Sequence, residues 1–321
     1  MKIALVLVAL FVTTSATVSA QQDRVLDQSL AAAQQQSDIF NRAQRPFLLE
    51  ADLTIQLAVP MQGHLTIQWQ SKNHWRRQLE FGAYKESVVR MGEWEYAQRN
   101  VGFAPLRTTD LVELLQFAKG AIHSAPNRAR TRKMGGTVLA CIELWSIELR
   151  ESYELCTDPA THEITNIRPW IFGVDGGNAA FSGYADIEGM RFPKHLELRI
   201  GKGIAVSVNL TKLEERPVDA DLLKPPAGAI ERRYCDIMTA PVMLHHPDLS
   251  SLGAFSDDVH VRFQVTIMKD GSVDSVQVIG QNSAQAADRI RRAYKNVKYK
   301  PAMCGTEPVI ADVVEGLDIA H

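Results

Sequence analysis

The densest group of potential metal ligands in this chain is His245-His246-Pro247-Asp248. Adjacent histidines in an extended segment point to opposite sides, and a zinc site needs about four ligands in a tetrahedral array. No partner set with helix or hairpin spacing accompanies them. The group therefore reads as a solvated loop, and no metal is expected. Serine-hydrolase chemistry needs a strained elbow of the form GxSxG. Gly203 and Ser207 do not make one, and Ser272 falls in a turn. Gly176-Gly177-Asn178 is a turn signal that lacks the lysine and following helix of a phosphate loop. The carboxylate pairs Glu214-Glu215 and Asp257-Asp258 fall in connecting stretches, where a solvated face is the default. No catalytic residue and no cofactor is assigned, and the chain is not expected to be an enzyme. A hydrolase with an unrecognised site stays as an alternative.

Four cysteines, Cys141, Cys156, Cys235 and Cys304, remain to be accounted for. No CxxC occurs, so a redox or structural zinc site has no support. An even count in an exported chain favours disulfides. Three connectivities are open, and nearest neighbours favour Cys141–Cys156 and Cys235–Cys304. The second pairing has a further reason: Cys304 follows a strand, and Cys235 lies in the lead-in that must pass near it.

Export itself is read from the amino terminus. Lys2 precedes the apolar run Ile3 to Val12, and Val18-Ser19-Ala20 places small residues before Gln21. That is the pattern of a cleaved secretory peptide over residues 1–20. The apolar part is short against the ~20 residues of a spanning helix, although an uncleaved inner-membrane anchor is the alternative. The chain of 321 residues has room for two domains. Its 45% hydrophobic content predicts a packed globular protein, and a net charge of −2 argues against nucleic acid as partner.

The elements follow from periodicity. Gln21 to Ala43 carries Val25, Leu26, Leu30, Ala33 and Ile39 on one helical stripe. Pro46 ends it, and a strand meander follows: Phe47 to Val59, His64 to Gln70, Trp75 to Phe81, Ser87 to Arg90 and Glu93 to Tyr96. Leu111, Leu114, Leu115 and Phe117 recur at helical spacing behind Thr108 or Thr109 as cap. Asn127 to Lys133 is basic and reads as an exposed loop. Strands resume over Thr137 to Leu149, Glu151 to Thr157, Glu163 to Ile167, Ala179 to Ile187, Met190 to Arg199 and Ile204 to Lys212.

One helix, about ten strands and an inserted helix describe a curved antiparallel sheet over residues 21–213. Gly63 to Trp69, Trp75-Arg76 and Met91 to Trp94 follow a loose "gly-x-leu … trp-arg … gly-x-trp" pattern. On those residues the segment resembles the LolA/LolB-like lipoprotein carriers, half-open barrels that hold lipid or acyl chains. Phe47, Leu49, Leu65, Ile67, Trp69, Trp75 and Trp94 would then line an apolar pocket, with Leu111 to Phe117 as its lid. The other reading of the same residues is a closed core.

Residues 214–234 read as a linker, with Pro217, Pro225, Pro226 and Gly228 and few apolar residues. The remainder, residues 235–321, reads strand, turn, strand, helix, strand, strand. Val259 to Met268 and Val273 to Gly280 alternate about Asp270-Gly271, a strong hairpin signal. Ala284 to Asn296 is helical, with Asp288 placed to pair with Arg292. Arg289, Arg291, Arg292, Lys295, Lys298 and Lys300 form a basic run, read as a solvated face or as a docking patch. Ala286, Ile290 and Ala293, then Tyr299-Lys300-Pro301-Ala302, Gly305 and Pro308-Val309, resemble the carboxy-terminal domain of TonB-like periplasmic proteins.

The expected fold class is therefore α+β: a curved antiparallel half-barrel followed by a small ββαββ module. The resemblance implies that the module contacts an envelope or outer-membrane transport protein by β-augmentation. The strand Val309 to Ile319 would do this, with Val309, Ile310, Ala311, Asp312, Val313, Val314 and Glu315 as its partner-binding residues. Lipid or an acyl chain is the possible ligand of the first domain. The rival reading is a structural or scaffolding periplasmic protein without ligand.

Overall fold

The computed structural model describes residues 28, 30–56, 59–101, 104–118, 124–146, 151–170, 177–235, 238–247, 259–279 and 284–319. The expected export segment, residues 1–20, lies outside them, as do Gly176, Asp248 and Asp257-Asp258. The chain folds as two compact units, and neither is a sequential half. The first holds Asp110–Glu215 with the described residues up to Arg45; the second joins Pro46–Thr109 to Arg216–His321.

Residues 30–37 are helical (α1), followed by a short helix α2, Ile39–Arg42. Leu30, Ala33 and Ile39 are buried, as their shared stripe predicts. Strands β1 (Phe47–Gln56), β2 (Pro60–Ser71), β3 (His74–Phe81), β4 (Tyr84–Met91) and β5 (Trp94–Arg99) follow. Helix α3 is Leu106–Leu115. It starts before Thr108 and Thr109, so neither caps it; Thr108 donates its backbone N–H to the Pro105 carbonyl instead.

The first unit is built on seven strands: β6 (Ser124–Met134), β7 (Thr137–Ser146), β8 (Glu151–Thr157), β9 (Ile164–Arg168), β10 (Asn178–Ile187), β11 (Met190–Ile200) and β12 (Gly203–Glu215). They lie in sequence order, each antiparallel to the next. Period-two alternation puts Leu144, Leu155, Ile167, Phe181, Leu196 and Val208 on one face. Phe117, just past α3, stacks on Phe181 at 4.4 Å and lies 6.0 Å from Phe192, which Phe40 meets edge-on. Helix residues thus cover this sheet face, and Leu111, Leu114 and Phe117 are buried there.

The basic stretch expected as a loop is strand β6. Arg128, Arg130 and Arg132 alternate with Ala129 and Thr131, and all pair with β7. An edge strand with one solvated side does not need apolar residues to hold its place, so the hydrophobicity that marks inner strands was missing.

In the second unit, the meander β1 to β5 is joined at β5 by β13 (Ile230–Arg233). The stretch expected as a linker is therefore structured. It contains a 3-10 turn, Ala220–Leu223, whose Leu222 carbonyl accepts from Arg76, and Gln98 donates to the Ala227 carbonyl. Gly63 allows β2 and β3 to approach closely: a Cβ there would lie 2.3 Å from the Glu80 oxygen.

The terminal module of this unit comprises β14 (Val242–Met243), β15 (Val259–Ile267), β16 (Val273–Ile279), α4 (Ala284–Tyr294), β17 (Tyr299–Lys300), β18 (Ala302–Cys304), β19 (Glu307–Val309) and β20 (Ala311–Ile319). Its main sheet has the order β16-β15-β20. Val261, Phe263, Val265 and Ile267 pack with Ile290 and Tyr294 of α4. The Asp270-Gly271 hairpin forms as the sequence requires. Gly271 has φ +76°, and a Cβ there would lie 1.9 Å from the Tyr299 oxygen. Asp288 pairs with Arg291 at 2.7 Å, not with Arg292. At three residues' separation the two are also helix-face neighbours.

Candidate functional site

The outer strand of the terminal sheet presents an open edge. β20 pairs with β15 through nine positions, from Ala311↔Ile267 to Ile319↔Val259, and with no other strand among the described residues. Ala311 is buried, and Val313 and Leu317 pack on the module core. Val314 faces the other way and is 37% exposed. Glu315 is half-buried beside Tyr299, and burial raises its carboxyl pKa above the ordinary value. The expected continuous strand from Val309 is broken. Val309 pairs with Ala302 in the β18–β19 hairpin, and Ile310 links it to β20.

A set of contacts ties this module to the β5–β13 edge within the same unit. Cys235 and Cys304 form a disulfide with Cα atoms 5.7 Å apart. Arg233 forms ion pairs with Glu307 and, at 3.0 Å, with Glu93. Arg232 bonds Asp312 at 2.9 Å. The Arg90 guanidinium lies 3.4 Å over the Tyr234 ring.

Of the seven residues expected around a pocket, six share one sheet face, and five of these are buried together. Phe47 stands opposite Trp69 and Leu49 opposite Ile67, while Leu65 faces Ala51. All five are buried, and the Phe47 and Trp69 rings stack at 4.9 Å. Trp75 pairs with Trp69 on the same face and is half-buried. Trp94 pairs with Met91 and Arg233 and lies on the opposite face, with Lys269 5.8 Å from its ring.

That same face turns from apolar to charged towards β5. Glu86 is 1% exposed and bonds Arg77 at 3.0 Å and Arg99 at 2.7 Å. Burial pushes its pKa up, but the two guanidinium groups outweigh this and hold it below the ordinary value. Glu95 lies on this face too, and there burial wins: its pKa is raised despite Arg77, Arg90 and Arg232 nearby. This network leaves little trace in the sequence, where Arg77 and Glu86 alternate with the apolar same-face neighbours Leu79 and Val88.

Among the remaining candidates, His245 and His246 line a cleft of about 300 Å³ together with Arg292, Asn296 and Lys298. Two permanent cations in that lining repel a metal ion. Cys141, Glu154 and Cys156 lie within 4.8 Å of one another. Their sulfurs are joined as the Cys141–Cys156 disulfide, so no thiolate is available to a metal. Both expected cysteine pairings are thus present.

No protein-family profile matches the chain, and no curated protein matches it. Solved structures do. A LolA superfamily protein from Nitrosomonas europaea is 11% identical with a TM-score of 0.42, covering 60% of this chain and 96% of its own. A DUF1329 family protein from Desulfovibrio piger is 10% identical with a TM-score of 0.44, covering 63% and 96%. The Pseudomonas aeruginosa MucA/MucB complex gives 14% identity and a TM-score of 0.29, covering 86% and 97%.

Proposed function

We propose that this chain is an exported binding protein whose terminal module receives an extended segment of an envelope or outer-membrane transport partner along β20. One observation carries the reading: among the described residues β20 is paired on one side only, across nine positions. An open edge supplies main-chain donors and acceptors to an incoming strand. The likeness of the hairpin, helix and closing strands to TonB-like modules supports the partner class.

The test is a photo-crosslinking residue in place of Val314 in cells, combined with proline at Val313 and at Val314 in separate variants. One of the two amides points outward, because successive backbone groups alternate along a strand. The proline at that position is expected to abolish a discrete crosslinked species and leave thermal melting unchanged. Absence of any crosslink, or unfolding by both prolines, would sink the reading.

A carrier role for lipid or an acyl chain is the second reading. It is favoured by the apolar sheet face under Phe117, which helical residues cover rather than a second sheet. A ligand would have to displace Phe117 from Phe181. Native mass spectrometry of protein purified from the periplasm should then show bound lipid, whereas a scaffold would fly empty.

A further inference from the structure

The face of the first unit opposite Phe117 carries a charge cluster that neither reading uses. Glu154 on β8 is 4% exposed at the side chain. Three guanidinium groups from two different strands close on it. Arg132 donates from Nε at 2.9 Å, Arg168 donates from Nε at 3.0 Å, and Arg130 also donates from Nε. Register explains the convergence. Arg130 stands opposite Cys141, which faces Cys156, while Arg168 stands directly opposite Glu154 on β9. All project from one side of the sheet.

Arg128 and Glu143, opposite each other in register on this same face, balance one another, so the three cations on Glu154 leave an excess of two positive charges. A buried ion pair needs one partner for neutrality, and surplus cations cost repulsion at close range. Each arginine spends Nε on Glu154, which leaves the Nη groups of Arg130 and Arg132 to donate to another acceptor. The three side chains keep 40%, 37% and 29% of their surface open to solvent. Guanidinium forks of this kind match the oxygens of phosphate or sulfate. Glu154 then acts as an anchor that holds the donors in place before any ligand arrives.

A groove of about 440 Å³ runs beside the cluster, lined by Leu139, Asn166, Ser182, His195 and Glu197 among others. Leu139 is the cross-strand neighbour of Arg132, and Asn166 is two residues from Arg168 on the same face. Its mixed lining suits a polar body attached to the anionic group.

We propose that Arg130, Arg132 and Arg168 form a binding site for a doubly charged tetrahedral oxyanion, a phosphomonoester, with its body in the neighbouring groove. The site lies in the first unit and is independent of strand β20. Calorimetric titration of the full chain at low ionic strength with inorganic phosphate tests it, with chloride as the control anion. Phosphate should bind at one saturable site, and Arg130→Gln with Arg132→Gln should weaken it at least tenfold. Lys133→Gln, on the same strand but the other face, should leave it unchanged. If the double variant does not fold, Arg130→Lys with Arg132→Lys keeps the charge, loses the forked donors and should still weaken binding. Two further arms, glucose 6-phosphate and vesicles containing phosphatidic acid, separate a soluble ester from a lipid headgroup by which binds more tightly. No saturable phosphate binding, or binding equal in the double variant, overturns the proposal. Vesicle binding that Lys133→Gln weakens as much as the double variant also overturns it, because that is diffuse surface charge.

Discussion

Arg232 on β13 hydrogen-bonds Asp312 on β20 at 2.9 Å, although 80 positions separate them. The strand with the open edge is therefore held by the strand that was expected to be linker. Thr266 donates to the other Asp312 oxygen, so this carboxylate is engaged on both sides. The terminal module is anchored to the β5–β13 edge through side chains, and among the described residues β20 pairs only with β15.

The Cys235–Cys304 disulfide closes a loop of 69 positions. Chain-entropy arguments give such a loop about 4 kcal/mol. Cys235→Ser with Cys304→Ser is expected to lower stability by that order in urea melts. The Cys141–Cys156 pair spans 15 positions between residues already opposite in register. Its removal should cost less, about 3 kcal/mol on the same basis. Equal losses would contradict this ordering.

Glu86 and Glu95 should respond to acid in opposite directions. The pKa of Glu86 is depressed in the fold. Its contribution is present above the unfolded value near ~4.3 and is lost as pH falls through the folded value. The pKa of Glu95 is raised. Its contribution is present below the unfolded value and is lost as pH rises through the folded one. Glu86→Gln strips the charge partner from Arg77 and Arg99 and is expected to cost roughly 3–5 kcal/mol at neutral pH. Glu95→Gln should be neutral or stabilising there. Urea melts of both variants between about pH 3 and 7 check the signs.

Gly271→Ala should destabilise the terminal module. The position has φ +76°, and the added methyl would meet the Tyr299 carbonyl oxygen, where the hairpin turn docks on β17. The left-handed conformation alone costs about 1–2 kcal/mol for a residue with a Cβ. The clash adds to that. A melting midpoint unchanged from the parent would show that the turn can move away from β17.

Several features were legible in the residues themselves. Asp270-Gly271 marked its hairpin because only local geometry decides such a turn. The alternation of Val261, Phe263, Val265 and Ile267 marked a strand with one buried face, and burial of all four bears that out. Both cysteine pairings followed from proximity in sequence and a strand-like setting. Trp94 was misplaced for a definable reason. The facing of a residue depends on the length of every preceding turn, and one residue of difference sends a side chain to the other side. The pairing Met91↔Trp94 across Gly92-Glu93 settles it away from Trp75.

Composition and period thus determined the class of the apolar elements: the inner strands, the helix around Leu111 to Leu115 and the hairpin module. What only the tertiary structure decided is which distant elements share an edge or a charge. The prolines of residues 214–230 signal irregular backbone, but not that β13 continues past them to pair with β5. Arg130, Arg132 and Arg168 look like ordinary surface charges when read along the chain. Their convergence on Glu154 exists only once β6 to β9 are in register. Local propensity acts over a few residues, whereas ladder register and buried charge pairing act between residues brought together by folding. No pattern read along one strand carries that information.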